Sequence, residues 1–423
     1  MSKIKPQTLK GFRDFLPEEM KIRNAVINAC REVFESFGFD PLETPTLEYA
    51  STLLEKYGDE ADRLVYTFKD KGDRNVGLIY DLTVPTAKVL AMYPGKIQLP
   101  FKRYQMQRVW RADKPQKGRY REFAQCDIDI FGVKSPLADA EILAVTYTLL
   151  TTLGFKNFTI KLNSRTILFN LLKKAGIADK KQQLSVLQTI DKLDKKSKQE
   201  VSAELGKKGL ENSKIKKVFS LLETAKIEDD SGLNSMKQAV EFMGVLPKTK
   251  KQSGYEFVPY MVRGLNYYTG PVFETVIDNL SLGSVAAGGR YDNLVSLLGG
   301  PDVTGTGTTF GFDRICDALT ELKIKEVDAN KTRVLVTTWP GLESKSMELA
   351  ANIRALGISC ELFLEEKPYE KQLKYADKKG FPFVILLGPE EINNNKVVLR
   401  NMKTREQKEL SQGELLQTLN PSI

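Results

Sequence analysis

Histidine is missing from all 423 positions of the chain. Its absence excludes every mechanism that needs an imidazole base or ligand, including serine-triad hydrolases and most catalytic zinc sites. Cysteine is almost as scarce: Cys30, Cys126, Cys316 and Cys360 lie far apart with no C-x-x-C pair, which argues against a zinc site or a disulfide framework and predicts reduced, mostly buried thiols. No apolar run approaches the roughly 20 residues that span a bilayer. The opening MSKIKPQTLKGFRDFLPEE has neither the apolar core of a signal peptide nor the acid-free character of a transit peptide. A cytoplasmic protein without a membrane partner is therefore expected. There is also no G-x-x-x-x-G-K-[ST] sequence, so any nucleotide phosphates must be held by something other than a P-loop. The chemistry left open runs on Arg, Lys, Asp, Glu, Tyr, backbone groups or a bound magnesium ion.

What is present fits a globular protein, with 41% hydrophobic, 28% charged and 9% aromatic residues. The length predicts two or three domains of roughly 100 to 200 residues each. The net charge of +9 is uneven, because residues 171 to 220 hold thirteen lysines against six acids. A polyanion contact and a solvated helical surface both account for such a stretch, and composition alone favours the second.

Ile22, Val26, Cys30, Val33 and Phe37 recur at helical spacing before Gly38, predicting an amphipathic helix over residues 19 to 37. VYTF (65 to 68) and NVGLIYDLT (75 to 83) flank a turn-rich KDKGDR and read as a hairpin. FKRYQMQRVW (101 to 110) and REFAQCDIDIF (121 to 131) bracket ADKPQKGRY as a second antiparallel pair, so the sheet is not doubly wound. Ser135 followed by Pro136 opens a helix to about Leu153. Residues 165 to 250 turn helical and lysine-rich, and strand character returns at YMVRGLNYYTGPVFETVI (260 to 277). The fold class expected is α+β: a mainly antiparallel sheet with flanking helices and a helical insertion, in a domain over residues 1 to 325. Beyond a polar linker, residues 332 to 423 alternate strand and helix as a separate α/β domain.

RVWRADKPQKGRYREFAQ supplies Arg108, Arg111, Arg119 and Arg121 within two strands and their loop. Forked guanidinium donors match phosphate and carboxylate oxygens, although an exposed hairpin rich in ordinary arginines reads equally well from this segment alone. RGLNYYTG (263 to 270) sets Arg263 in an apolar strand context, where an unpaired charge is costly; a structural ion pair is the competing account. Asp81, Leu82 and Thr83 offer a carboxylate and a hydroxyl for an ammonium group, or equally a helix cap. AAGGRYDNL (286 to 294) lets backbone approach a ligand near Tyr291, and GTGTTFGFDRI (305 to 315) brings Arg314 to the start of a helix.

Together these segments resemble class II aminoacyl-tRNA synthetases, and in particular the histidyl-tRNA synthetase family, over essentially the whole chain. ETPTLEY, with Pro45, resembles motif 1, the family's dimer interface; RVWRAD to QCDID resembles motif 2; TTFGFDRI resembles motif 3. RGLNYYTG and AAGGRYDNL resemble the histidine-specific segments, and GFRDFLPEE resembles the family's opening. Asn266 stands where the family usually has aspartate, and Asp113 and Asp313 where glutamate is frequent.

The resemblance implies ATP-dependent activation of L-histidine and its transfer to tRNA(His), with Mg2+ as cofactor and a homodimer as the assembly. It makes Arg263 and Arg111 catalytic. It assigns Asp81, Leu82, Thr83, Arg111, Gln125, Asp129, Arg263, Tyr267, Tyr268 and Tyr291 to histidine, and Arg111, Asp113, Arg119 and Arg314 to ATP. Gln125 and Asp129 are an even number of residues apart, so both face one side of their strand. Residues 332 to 423 resemble the anticodon-binding domain. The resemblance also gives the histidine-free composition a meaning, since such a chain never draws on the product it would supply. The rival class is an inactive synthetase-like regulator sensing histidine or uncharged tRNA, and a proline or threonine enzyme is a third reading.

Overall fold

The computed structural model describes residues 5–54, 63–116, 118–242, 254–262, 267–324 and 333–419. Contacts divide the chain into two compact units, Met1–Asp328 and Ala329–Ile423.

In the first unit an eight-stranded sheet runs, in spatial order, Asp40–Pro41, Phe101–Trp110, Glu122–Phe131, Gly305–Gly311, Ser284–Arg290, Pro271–Ile277, Phe158–Ser164 and Gly254–Phe257. The six central strands pair antiparallel, as the alternating sequence predicts. The two edge strands pair parallel to their neighbours, because each enters from a connection that returns to the same end rather than from a hairpin. Ten residue pairs join Phe101–Trp110 to Glu122–Phe131, which makes this hairpin the rigid middle of the sheet.

One face of the sheet is covered by the helices Pro17–Ser36, Leu137–Thr152 and Phe312–Glu321. Val26, Cys30, Phe34, Ile142, Leu149, Phe310 and Ile315 meet there in the principal core. The opening helix extends over the predicted span, with Gly38 at φ +74° turning the chain after it. Four cysteines are free, and Cys30, Cys126 and Cys316 are buried. Burial pushes the Cys316 thiol up to about 12, so it stays protonated and unreactive.

A smaller antiparallel sheet joins Leu47–Tyr49, Asn75–Leu78 and Thr67–Lys69. The predicted hairpin strand is shorter than its apolar run, for the chain leaves the sheet after Leu78 and enters the helix Thr83–Met92. The lysine-rich stretch forms the helices Arg165–Lys174, Lys180–Ile190, Lys198–Lys207 and Asn212–Thr224 around a core of their own, including Leu172, Leu187, Leu205 and Phe219. Ser231–Phe242 instead returns its Leu233, Met236 and Val240 to the principal core.

The second unit holds a five-stranded sheet in the order Ser359–Leu362, Arg333–Val336, Phe383–Leu386, Val397–Asn401, Gln407–Leu410. Its first three strands are parallel and the last two antiparallel; the antiparallel pair has no apolar run long enough to announce itself. No helix among the described residues is long and apolar enough to cross a membrane.

Candidate active site

The open face of the main sheet floors a cavity of about 780 Å³. Strand alternation decides what points into it. On Glu122–Phe131 the residues Gln125, Asp127 and Asp129 share one face, opposite Gln107, Gln105 and Arg103 of the neighbouring strand and Gly311, Thr309 and Gly307 of the other.

Asp81, Thr83, Arg111, Asp113, Arg119, Gln125, Tyr267, Tyr268 and Arg314 all line this cavity. Asp81 and Tyr267, 186 residues apart in sequence, thus meet on one wall, while Arg263 lies outside the described residues, as does Asn266. Asp129, Leu82 and Tyr291 do not reach the wall. Asp129 lies deeper, ion-paired with Arg103 and accepting a hydrogen bond from the Tyr291 hydroxyl. Leu82 contributes backbone, its carbonyl accepting from Thr86 Oγ1 at 2.8 Å, while its side chain packs in a core with Ile79 and Val109. Gly307 is required beneath Asp129, since a Cβ there would overlap the carboxylate, and a Cβ at Gly289 would lie 3.0 Å from the Tyr268 ring.

Three arginines contribute to the cavity wall. Arg111 donates through Nε to the Tyr80 carbonyl at 3.0 Å and lies 5.1 Å from the Phe123 ring centre, which fixes its direction. Arg314 donates to the Ser284 carbonyl at 2.8 Å, and Arg119 donates to Asp113 at 2.9 Å. The same cavity offers acceptors that have no partner among the described residues. Asp81 accepts from the Val84 N–H at 3.1 Å through Oδ1, which makes it a cap, while its buried Oδ2 has no hydrogen-bond partner among the described residues. Burial raises its carboxyl to about 6. Gln125, 4% exposed, likewise keeps Oε1 without a partner among the described residues. Such orphaned acceptors are costly unless a ligand completes them. Tyr267 and Tyr268 stand beside them with ring centres 4.7 Å apart, and Tyr291 packs 5.7 Å from Tyr267.

Sequence reasoning overlooked a group of charges behind this surface. Arg103 has no exposed area, and Asp127, 1% exposed, has no hydrogen-bond partner on either oxygen among the described residues. Burial raises Asp127 to about 8, with Arg103 pulling the other way. The signal was present in the polar alternation Arg103, Gln105, Gln107 facing Asp129, Asp127, Gln125, which no exposed strand needs. Also overlooked was the pairing of Asp313 with Arg13 and Arg23 at 2.8 and 2.5 Å, contacts that span about 300 positions.

Among the described residues no group of three or more potential ligands could hold a metal ion. Magnesium commonly uses only one or two carboxylates together with substrate phosphates. Asp113, on the cavity wall beside Arg119, has the donor chemistry for that; Asp313, already shared by two arginines, does not.

An antiparallel sheet that carries its phosphate-binding potential on separate arginines, joined to a second α/β unit, is the architecture of a class II aminoacyl-tRNA synthetase. The family model for histidyl-tRNA synthetase matches residues 11–315, and that for the anticodon binding domain matches residues 332–420. Histidine–tRNA ligase of Bacteroides fragilis is 38% identical, the match covering 98% of this chain and 99% of that protein. The Rhodopirellula baltica ligase is 39% identical over 96% of each. A solved histidyl-tRNA synthetase from Nostoc superposes with a TM-score of 0.84 at 27% identity, covering all of both chains. A Bacillus halodurans structure described as an ATP phosphoribosyltransferase regulatory subunit/histidyl-tRNA synthetase has a TM-score of 0.73 and 21% identity, over 90% of this chain and 99% of that one; that likeness shows the fold alone. The chain belongs to the histidyl-tRNA synthetase family.

Proposed function

We propose that the protein is a histidine–tRNA ligase that activates L-histidine with ATP and transfers it to tRNA(His). The observation that carries this reading is one cavity lined both by three arginines and by the acceptors of Asp81 and Gln125, which have no partner among the described residues, with Tyr267 and Tyr268 beside them. The arginines suit a triphosphate, and the acceptors suit an ammonium group and a ring N–H.

The histidine carboxylate attacks the α-phosphorus of ATP and pyrophosphate leaves. A hydroxyl of the terminal tRNA ribose then attacks the carbonyl carbon of the adenylate, and AMP leaves. Phosphoryl chemistry of this kind depends on positioning and charge neutralisation. Arg111 holds the carboxylate against the α-phosphate, Arg263 neutralises charge growing on the phosphoryl oxygens, and Arg119 and Arg314 hold the outer phosphates. Asp81 and Thr83 receive the ammonium, Gln125 reads the ring, and Asp129 with Tyr291 backs that pocket from below. Asp113 is the residue that would hold a magnesium ion bound with ATP, which would supply charge neutralisation at the phosphates.

The catalytic domain is assigned to residues 1 to 325, with the lysine-rich helices between Arg165 and Thr224 meeting the acceptor arm, and anticodon binding to residues 332 to 423. A second copy of the chain is assigned to the motif 1 region, where Leu47, Tyr49 and Phe68 are exposed on the small sheet. The cytoplasm is the compartment assigned. Charging of purified tRNA with labelled histidine tests the reading: ATP-dependent, histidine-specific incorporation is expected, and charging with proline or threonine instead would overturn it.

A further inference from the structure

The opening segment does more than precede the first helix. Its Gly11 carbonyl accepts the Arg121 N–H at 2.9 Å, and Arg121 Nε donates in turn to the Asp113 carbonyl at 3.1 Å. Gly11 sits at φ +90°, and a Cβ there would lie 2.9 Å from Arg121 Cδ and 3.0 Å from Pro115 Cγ; only glycine lets the segment lie this close. Two residues on, Arg13 places its guanidinium 3.3 Å from the Tyr120 ring centre while donating to Asp313 at 2.8 Å. Asp313 also accepts from the Ala124 N–H at 3.0 Å. Tyr120 follows Arg119, and Asp313 precedes Arg314. One side chain thus bridges the residues next to Arg119 and Arg314, two arginines of the cavity wall, without itself lining the cavity.

We propose that Arg13 is a positioning residue for the nucleotide, acting through Tyr120 and Asp313 to hold Arg119 and Arg314 in register with each other. The inference rests on the functional reading above. It follows from how the two arginines are supported. Arg119 is in the connection between two strands and Arg314 in the first turn of a helix, and they come from positions 195 residues apart. Their common brace is the guanidinium plane of Arg13, stacked on one side and ion-paired on the other. Neutralising Asp313 is not the reason for Arg13, because Arg23, buried between Phe15 and Phe312, already pairs with the same carboxylate at 2.5 Å. Loss of Arg13 therefore leaves no buried charge alone, and the chain keeps its fold while the brace is lost.

Pyrophosphate exchange by the full chain, with ATP and histidine varied separately, tests this in Arg13→Ala, Arg13→Lys and Tyr120→Leu. The expected result for Arg13→Ala is a rise in the KM for ATP of about tenfold or more, the scale of a displaced positioning group. The KM for histidine should stay within about twofold and the melting temperature should hardly move. Arg13→Lys should recover part of the loss, and Tyr120→Leu, which keeps the ion pair, should reproduce it even if Arg13→Ala folds poorly. An unchanged KM for ATP, or equal rises in both KM values with a fall in melting temperature, would make the segment merely structural and overturn the proposal. Equilibrium binding of a non-hydrolysable ATP analogue is measured alongside. If the unsubstituted chain shows no exchange, the functional reading fails; the brace then stands or falls on whether Arg13→Ala weakens the analogue.

Discussion

Arg103 and Asp129 occupy directly opposed positions on neighbouring strands and form an ion pair beneath the cavity floor, with no exposed surface on the arginine. Arg103 also donates to the Gln105 side chain and the Leu82 carbonyl, each at 3.4 Å. The pair ties the floor to the turn that presents Asp81. Arg103→Met leaves Asp129 buried without its cation, a loss of about 3 to 5 kcal/mol. Denaturant unfolding reads this as a lower midpoint at unchanged slope; a midpoint within about 0.5 kcal/mol of the parent would show that the pair carries no such load.

Asp127 gives a pH dependence with a definite sign. Its folded-state value is about 8 against an ordinary 3.8. Between those limits the folded protein holds a proton that the unfolded chain has released, so this group's contribution falls as pH rises through about 8. The groups acting on it are Arg103 across the strand pair, Asp129 on its own strand, Asp81 from the turn, and the Thr309 hydroxyl opposite. Asp127→Asn should gain stability relative to the parent as pH goes from 5 to 8, measured as the difference in unfolding midpoints. A constant difference across that range contradicts it.

The sheet was legible because its strands alternate and its turns carry glycine and charged residues, and the motifs marked where the chain returns to one place. Gln125 could be aimed from strand parity alone. Parity also aimed Asp129 correctly, but not its depth. Only the fold shows that Arg103 and Tyr291 enclose it and that Asp127 lies between. Arg13 and Arg23 were illegible for a simpler reason: nothing local in GFRDFLPEE tells that Asp313 waits about 300 residues away.

Arg263 is assigned the charge on the phosphoryl oxygens, so Arg263→Ala should lower the histidine-dependent exchange rate by about a hundredfold, the usual effect of removing one such donor. Single-turnover adenylate formation separates this from a binding defect, and a near-normal rate would refute the role.

Removing residues 329 to 423 takes away one whole contact unit. If anticodon recognition resides there, the truncated chain keeps histidine-dependent exchange, which needs no tRNA, while charging of tRNA(His) falls by at least tenfold at fixed tRNA concentration. Equal loss of both reactions would place part of the activation machinery in the second unit.

The central claim is most directly tested by ATP–pyrophosphate exchange on the purified protein with each of the twenty amino acids, in the absence of tRNA. The account predicts exchange with histidine alone. Exchange driven by another amino acid would contradict the assignment of Asp81, Gln125 and Tyr268, and exchange with none would contradict the activation chemistry itself.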